Sequence, residues 1–296
     1  MKRVHFKKLD AFATRNSNGN PAGCVFLKDQ NDLSGPEMLQ VAKELKGFVS
    51  EVGYITKFND EEYNFKYYSS ERELDFCGHV TIATMYDIAQ SETGSARKNY
   101  IINTNRGKLK VENRIDAENA VFIMSPEPVY KDNFPNRTII AEKLKINENE
   151  MDSHPISIIN AGLNTLIVPI RNLDGILNIA PELEELNNFC VSSGIDIIEV
   201  FCTEVYDSSN KYRTRVFAPT FGYIEDPATG SGNSAFGYYL IKNGMWKDGT
   251  INIEQNGEKE SYNLVQLQQQ HDDKNNIRVW FGGGAITRIE GEYLIN

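Results

Sequence analysis

Apolar positions recur along the chain in two rhythms. At every second residue they mark strands over residues 4–12, 61–68, 100–111 and 121–124, the third broken by the Arg106-Gly107 turn. A second series follows at 197–203, 212–217, 251–254, 262–266, 277–281 and 285–289. Residues 22–27 form a continuous apolar strand, and 156–159 with 165–170 flank Ala161-Gly162-Leu163-Asn164 as a hairpin. At helical spacing, Met38, Val41, Ala42 and Leu45 follow Ser34-Gly35-Pro36-Glu37, where Ser34 and Glu37 have the spacing of a capping box. Further helices are expected at 138–144 and 181–193. Two stretches have neither a polar face nor alternation. Small and apolar residues follow Gly78 and again Gly230, the pattern of a helix packed on every side.

Those two stretches are copies of each other. At an offset of 152, Gly78 falls on Gly230, Cys77 on Thr229, His79 on Ser231, Ala83 on Ala235 and Tyr86 on Tyr238. Upstream, Glu73 falls on Glu225 and Phe65 on Phe217. Two copies in 296 residues imply two similar domains rather than a solenoid. The expected division is 1–124, joined by 285–296, and 125–284, in an α+β fold with one apolar helix central to each half. Each Gly turn opens a helix whose first N–H groups lack intrahelical acceptors. With the helix dipole, they suit a carboxylate or phosphate. Two such ends related by a pseudo-twofold would face one another across a cleft. Thr229 near its Gly turn also has the simpler reading of an N-cap.

Composition narrows the partners. A net charge of −10 argues against nucleic acid, and no apolar run reaches membrane-spanning length. The basic opening Met1-Lys2-Arg3-Val4 lacks the apolar core of a signal peptide, and four cysteines show neither CxxC spacing nor scaffold density. A reduced cytoplasmic protein is expected. Four histidines without HExxH spacing give no expectation of a metal. Glu51 stands in an apolar strand-like run, where an unpaired carboxylate costs several kcal/mol unless it faces outward.

Asp10-Ala11-Phe12, Gly19-Asn20-Pro21-Ala22-Gly23, Ser50-Glu51, Cys77-Gly78-His79-Val80-Thr81, Arg215-Val216-Phe217-Ala218-Pro219, Glu225-Asp226-Pro227-Ala228-Thr229-Gly230-Ser231-Gly232 and Glu254-Gln255 follow in order through the chain. Together they resemble the PhzF-like family of phenazine biosynthesis, whose fold is that of diaminopimelate epimerase. The resemblance implies two pseudo-symmetric halves, each a barrel-like, mostly antiparallel sheet around a central helix, with the site between them and a tendency to form homodimers. It places the catalytic acid/base glutamate on Glu51, its supporting groups on His79 and Asp226, and the substrate-binding positions on Ser50, Gly78, Gly230, Ser231 and Gly232. Three positions depart from the family's pattern: Tyr68-Ser69 stands where Thr-Pro is common, Gly232 where Ala is usual, and Asn256 interrupts Glu-Gln-Gly.

Epimerase relatives need two facing cysteines. Here Cys77 fills the first position and Thr229 the second, and a threonine hydroxyl is no base near neutral pH. A small buried role is therefore expected for Cys77. The remaining set suits a cofactor-independent isomerase. Glu51 takes a proton next to a carboxylate or carbonyl of a small acid and redelivers it, while the N–H groups of Gly230 to Gly232 hold the acid. Epimerisation or lyase chemistry on an amino or hydroxy acid, and a non-catalytic acid-binding protein, are the alternatives.

Overall fold

A computed structural model describes residues 1–92, 98–132 and 134–295, so the last position of the expected 285–296 segment lies outside the described residues. The chain divides into two compact units, Met1–Met124 with Gly282–Asn296, and Ser125–Phe281.

The first unit opens with β1 (Lys2–Ala11) and β2 (Asn20–Leu27), then α1 (Gly35–Glu44), β3 (Glu51–Lys57), β4 (Glu62–Tyr68) and the short β5 (Glu73–Leu74). Next come α2 (Gly78–Ser91), β6 (Asn99–Thr104), β7 (Gly107–Arg114), α3 (Ile115–Glu118) and β8 (Ala120–Met124). The β1–β2 hairpin is antiparallel and β2 runs parallel to β3. From β3 the ladder is antiparallel to β4 and then to β5, and β4 runs parallel to β6 across the α2 connection. The capping box forms as the sequence implies: Ser34 N donates to Glu37 Oε2 at 2.7 Å and Glu37 N to Ser34 Oγ at 3.5 Å. A cap of this kind contributes about 1 kcal/mol. Helix α1 packs Met38 and Val41 against Val25 and Val52 on one face of the sheet.

The second unit repeats that order. It consists of β9 (Val129–Lys131), α4 (Arg137–Leu144), β10 (Ser157–Asn160), β11 (Asn164–Pro169), α5 (Leu173–Leu177), α6 (Leu183–Ser193), β12 (Ile197–Cys202), β13 (Tyr212–Phe217) and β14 (Glu225–Asp226). It continues with α7 (Gly230–Lys242), β15 (Ile251–Gln255), β16 (Asn263–His271) and β17 (Ile277–Gly283). Again an antiparallel hairpin leads to a parallel β11–β12 pair, an antiparallel run through β13 and β14, and a parallel β13–β15 pair across α7. On one face, Ile198, Val200 and Phe217 pack with Ile140 of α4 and Leu186 of α6.

In both units the helix after the Gly turn is the buried one. Val80, Ile82 and Met85 of α2, and Ala235, Phe236 and Leu240 of α7, are fully buried, and so are the polar Thr81, Thr84, Asn233 and Ser234. A helix without a solvent face needs residues without a polar face, which is what both stretches supply. No helix among the described residues is long and apolar enough to cross a membrane.

One reading changes at the level of register. The constant offset set Phe65 against Phe217, but Phe217 pairs with Glu225 whereas Tyr68, not Phe65, pairs with Glu73. The turn between strand and helix is longer in the second copy, and a fixed offset cannot absorb an insertion. Alternation marks only 285–289 of the last strand, whereas β18 (Ala285–Ile295) runs along the 285–296 segment expected to join the first half and pairs with β1 from Ala11↔Ala285 to Lys2↔Ile295. The backbone ladder continues, and Glu290 and Glu292 meet His5 and Arg3 across it at 3.3 and 3.2 Å.

Candidate functional site

In the first unit four of the expected residues come together. Glu51 opens β3 beside Ala22 of β2. The preceding Ser50 is fixed twice: its N–H donates to Pro21 O at 2.9 Å and its hydroxyl to Asn20 Oδ1 at 3.2 Å. Cys77 and Gly78 form the entry of α2, with Cys77 as N-cap making no side-chain cap bond. Thr81 Oγ1 instead donates to Cys77 O at 2.7 Å, and the Tyr67 hydroxyl lies 2.7 Å from Thr81 Oγ1. His79 then stands with Nδ1 3.4 Å from Cys77 Sγ and Nε2 3.2 Å from Glu51 Oε2. Distance alone makes the second contact an ion pair, but Nε2 has no hydrogen-bond partner of acceptable angle. Burial pushes His79 from 6.5 down to about 3, so at neutral pH a neutral imidazole touches a carboxyl group and a thiol.

Donor atoms of Glu51, Cys77 and His79 lie within 4.8 Å of one another. The thiol and the carboxylate meet opposite ring nitrogens of His79.

The depressed His79 value has a measurable consequence. The unfolded state takes up the proton near 6.5 and the folded state only near 3, so stability present above 6.5 is lost as pH falls through that window. His79→Gln should remove this sensitivity. In urea titrations from about pH 6.5 to 4.5 the natural protein should lose about 2–3 kcal/mol more than the variant. Equal losses would mean that His79 keeps an ordinary pKa.

In the second unit the Gly turn is pinned by a glutamine. Gln255, at the end of β15, accepts from Thr229 N at 3.0 Å and from Asn233 Nδ2 at 2.6 Å. Its own Nε2 donates to Asp226 O at 2.9 Å and Thr229 Oγ1 at 3.1 Å. Thr229 is the N-cap residue of α7 by position, yet its hydroxyl makes no cap bond and donates to Asp226 Oδ2 at 2.6 Å. Thr229 thus occupies the N-cap position without capping the helix through its side chain. Asn233 Nδ2 donates to Thr229 O at 2.9 Å, the same bond to the N-cap carbonyl that Thr81 makes in the first copy. Gly230, Ser231 and Gly232 head α7, where N–H groups have no intrahelical acceptors. A Cβ at Gly230 would lie 2.4 Å from the Phe281 ring, so only glycine fits there.

Sequence reasoning passed over Gln255 as a partner of this turn, and it passed over Glu199 altogether. Glu199 is 0% exposed in the middle of β12, and neither carboxyl oxygen has a hydrogen-bond partner. Burial pushes its carboxyl well above the usual range. Leaving such a group unbonded costs about 1–3 kcal/mol relative to an apolar residue of its size. The signal was present as a single acid inside the otherwise apolar Ile-Ile-Glu-Val-Phe. Asn256 also acquires a role: its Oδ1 accepts from Arg213 Nη2 at 2.9 Å, at a backbone φ of +133°.

A repeated sheet-and-buried-helix unit carries a carboxylate and an imidazole at one helix entry; solved structures of epimerase-like fold share the architecture and curated relatives are named isomerases, which makes this an enzyme of the isomerase class. Residues 9–291 match the family described as phenazine biosynthesis-like protein, and the chain belongs to that family. It is 27% identical to the uncharacterized isomerase YfhB of Bacillus subtilis over 98% of this chain and 99% of that one. Among solved structures it is similar to the PhzF-family phenazine biosynthesis protein of Bacillus anthracis, with 25% identity, TM-score 0.86 and full coverage of both chains. The hydroxyproline epimerase of Agrobacterium vitis shares the fold at TM-score 0.60 and 10% identity, covering 99% of this chain and 91% of that one.

Proposed function

We propose that the protein is a cofactor-independent isomerase that moves a proton along a small carboxylic acid, with Glu51 as the acid/base. The observation that carries this reading is the contact of Glu51 Oε2 with His79 Nε2 at 3.2 Å, with the far side of the ring against Cys77. A neutral imidazole beside Glu51 adds no positive charge that would weaken the carboxylate as a base, so the carboxylate itself takes and returns the proton. In this reading His79 and Asp226 hydrogen-bond the substrate's polar groups or relay the proton, while the N–H groups of Gly230, Ser231 and Gly232 hold its carboxylate and stabilise negative charge as it develops. Two-thiol epimerisation is disfavoured by Thr229, whose hydroxyl is committed to Asp226.

The test is exchange. The enzyme is incubated in deuterium oxide with a panel of small metabolite acids, chosen by the thermal shift each produces, and followed by NMR. Deuterium should enter at a carbon next to a carboxylate or carbonyl, and a proton should move along the chain without inversion of a centre. Acids that bind yet take up no deuterium would make this a binding protein. Exchange with inversion at one carbon would make it an epimerase.

A further inference from the structure

Strand pairing in the two units identifies what Glu199 replaces. Val52 of β3 faces Tyr68, which pairs with Glu73; Ile198 of β12 faces Phe217, which pairs with Glu225. Gly53 therefore corresponds to Glu199, and Glu51 to Ile197. In the first unit the strand position is the glycine, and a Cβ on Gly53 would lie 2.6 Å from Val80 of α2. In the second unit the helix position is the glycine. A Cβ on Gly232 would lie 2.8 Å from Glu199 Oε2. The departure from the usual alanine at position 232 thus makes room for a buried acid under the first turn of α7.

The surroundings of that acid hold no counter-charge by register. Across the sheet Glu199 sits opposite Ile167 of β11 and Val216 of β13, and Val216 sits opposite Asp226 of β14. Opposed residues share a face, so Glu199 and Asp226 point to the same side, two strands apart. β11 adds Thr165 there, β13 the Tyr212 phenol, and α7 adds Asn233, whose Oδ1 is likewise buried and unbonded. The cations of β13, Arg213 and Arg215, alternate to the other face and are paired with Glu254 and Glu225.

We propose that Glu199 is a positioning residue for the anion-holding end of α7, and that a carboxylate is held there only while Glu199 is uncharged. This rests on the reading above in which Gly230 to Gly232 hold the substrate's carboxylate. A neutral carboxyl leaves the field of the helix terminus for the ligand, whereas an ionised one cancels that field and repels the incoming anion. The coupling is reciprocal: a bound carboxylate makes Glu199 harder to ionise. Burial raises its pKa, so the transition lies well above the usual carboxylate range.

The experiment uses malonate as the probe, with the backbone amides of Gly230, Ser231 and Gly232 as reporters in the natural protein and in Glu199→Gln. Malonate should shift these amides in both. Its affinity for the natural protein should fall at least tenfold from about pH 7 to 10, the full weight of one ionisation per unit being tenfold. In Glu199→Gln, a neutral isostere, it should stay within about twofold of the natural protein's neutral-pH affinity over that range. A parallel fall in both proteins, or no fall in the natural one, overturns the role of Glu199 and leaves the anion site standing. Amides that do not respond to malonate in either protein overturn the anion site itself, and this inference with it.

Discussion

Glu51→Gln is expected to lower turnover by about two to four orders of magnitude, the range that one general acid/base supplies. Glutamine keeps the length, the polarity and the contact with His79 but cannot take a proton. Substrate affinity should change little, because in the proposed reading the acid's carboxylate is held by the N–H groups of Gly230 to Gly232. The paired control is Cys77→Ala. That thiol is 8% exposed, and its residue touches His79 through the ring nitrogen away from Glu51. Its loss should leave most of the turnover in place. If Cys77→Ala abolishes activity while Glu51→Gln retains it, the chemistry is cysteine-based and the proton does not belong to Glu51. Steady-state kinetics of both variants on one substrate decide the matter.

Gly230→Ala should be the most damaging single methyl group in the second unit. Its Cβ would fall 2.4 and 2.7 Å from Cε2 and Cδ2 of Phe281. That ring is 2% exposed on β17 and has little room to retreat. The first turn of α7 must move, and overpacking of this kind costs about 1–3 kcal/mol. The same movement shifts the N–H groups proposed to hold the substrate, so kcat/KM should fall by about two orders of magnitude if they are displaced by about 1 Å. Gly291→Ala is the matched control: a Cβ there meets nothing within 4 Å, so its effect should be within about 0.5 kcal/mol. Urea titrations and kinetics of the two variants separate packing from a general intolerance of alanine. Equal stability in both would mean that Phe281 yields freely.

Much of the architecture was written locally. Alternation placed the strands, the Ser34 and Glu37 spacing placed the start of α1, and two helices without a polar face announced themselves as the buried ones. Side-chain period and capping act over a few residues, so a single chain displays them. The repeat was visible as well, but its register was not, because the turn before the second helix is longer and Phe217 matches Tyr68 rather than Phe65.

What the sequence alone determined, then, was the kind of fold, its family and the chemically capable residues Glu51, His79 and Asp226. What only the tertiary structure decided was how those groups are charged and held. His79 lost its positive charge to burial against Glu51 and Cys77, residues 28 and 2 positions away along the chain. The turn at Gly230 gained its rigidity from Gln255, which arrives from a strand beyond the helix. Glu199 became a buried, unbonded acid only because β12 turns it inward toward Gly232. Alternation says that a strand has two faces but not which one a helix will cover, and desolvation depends on that choice.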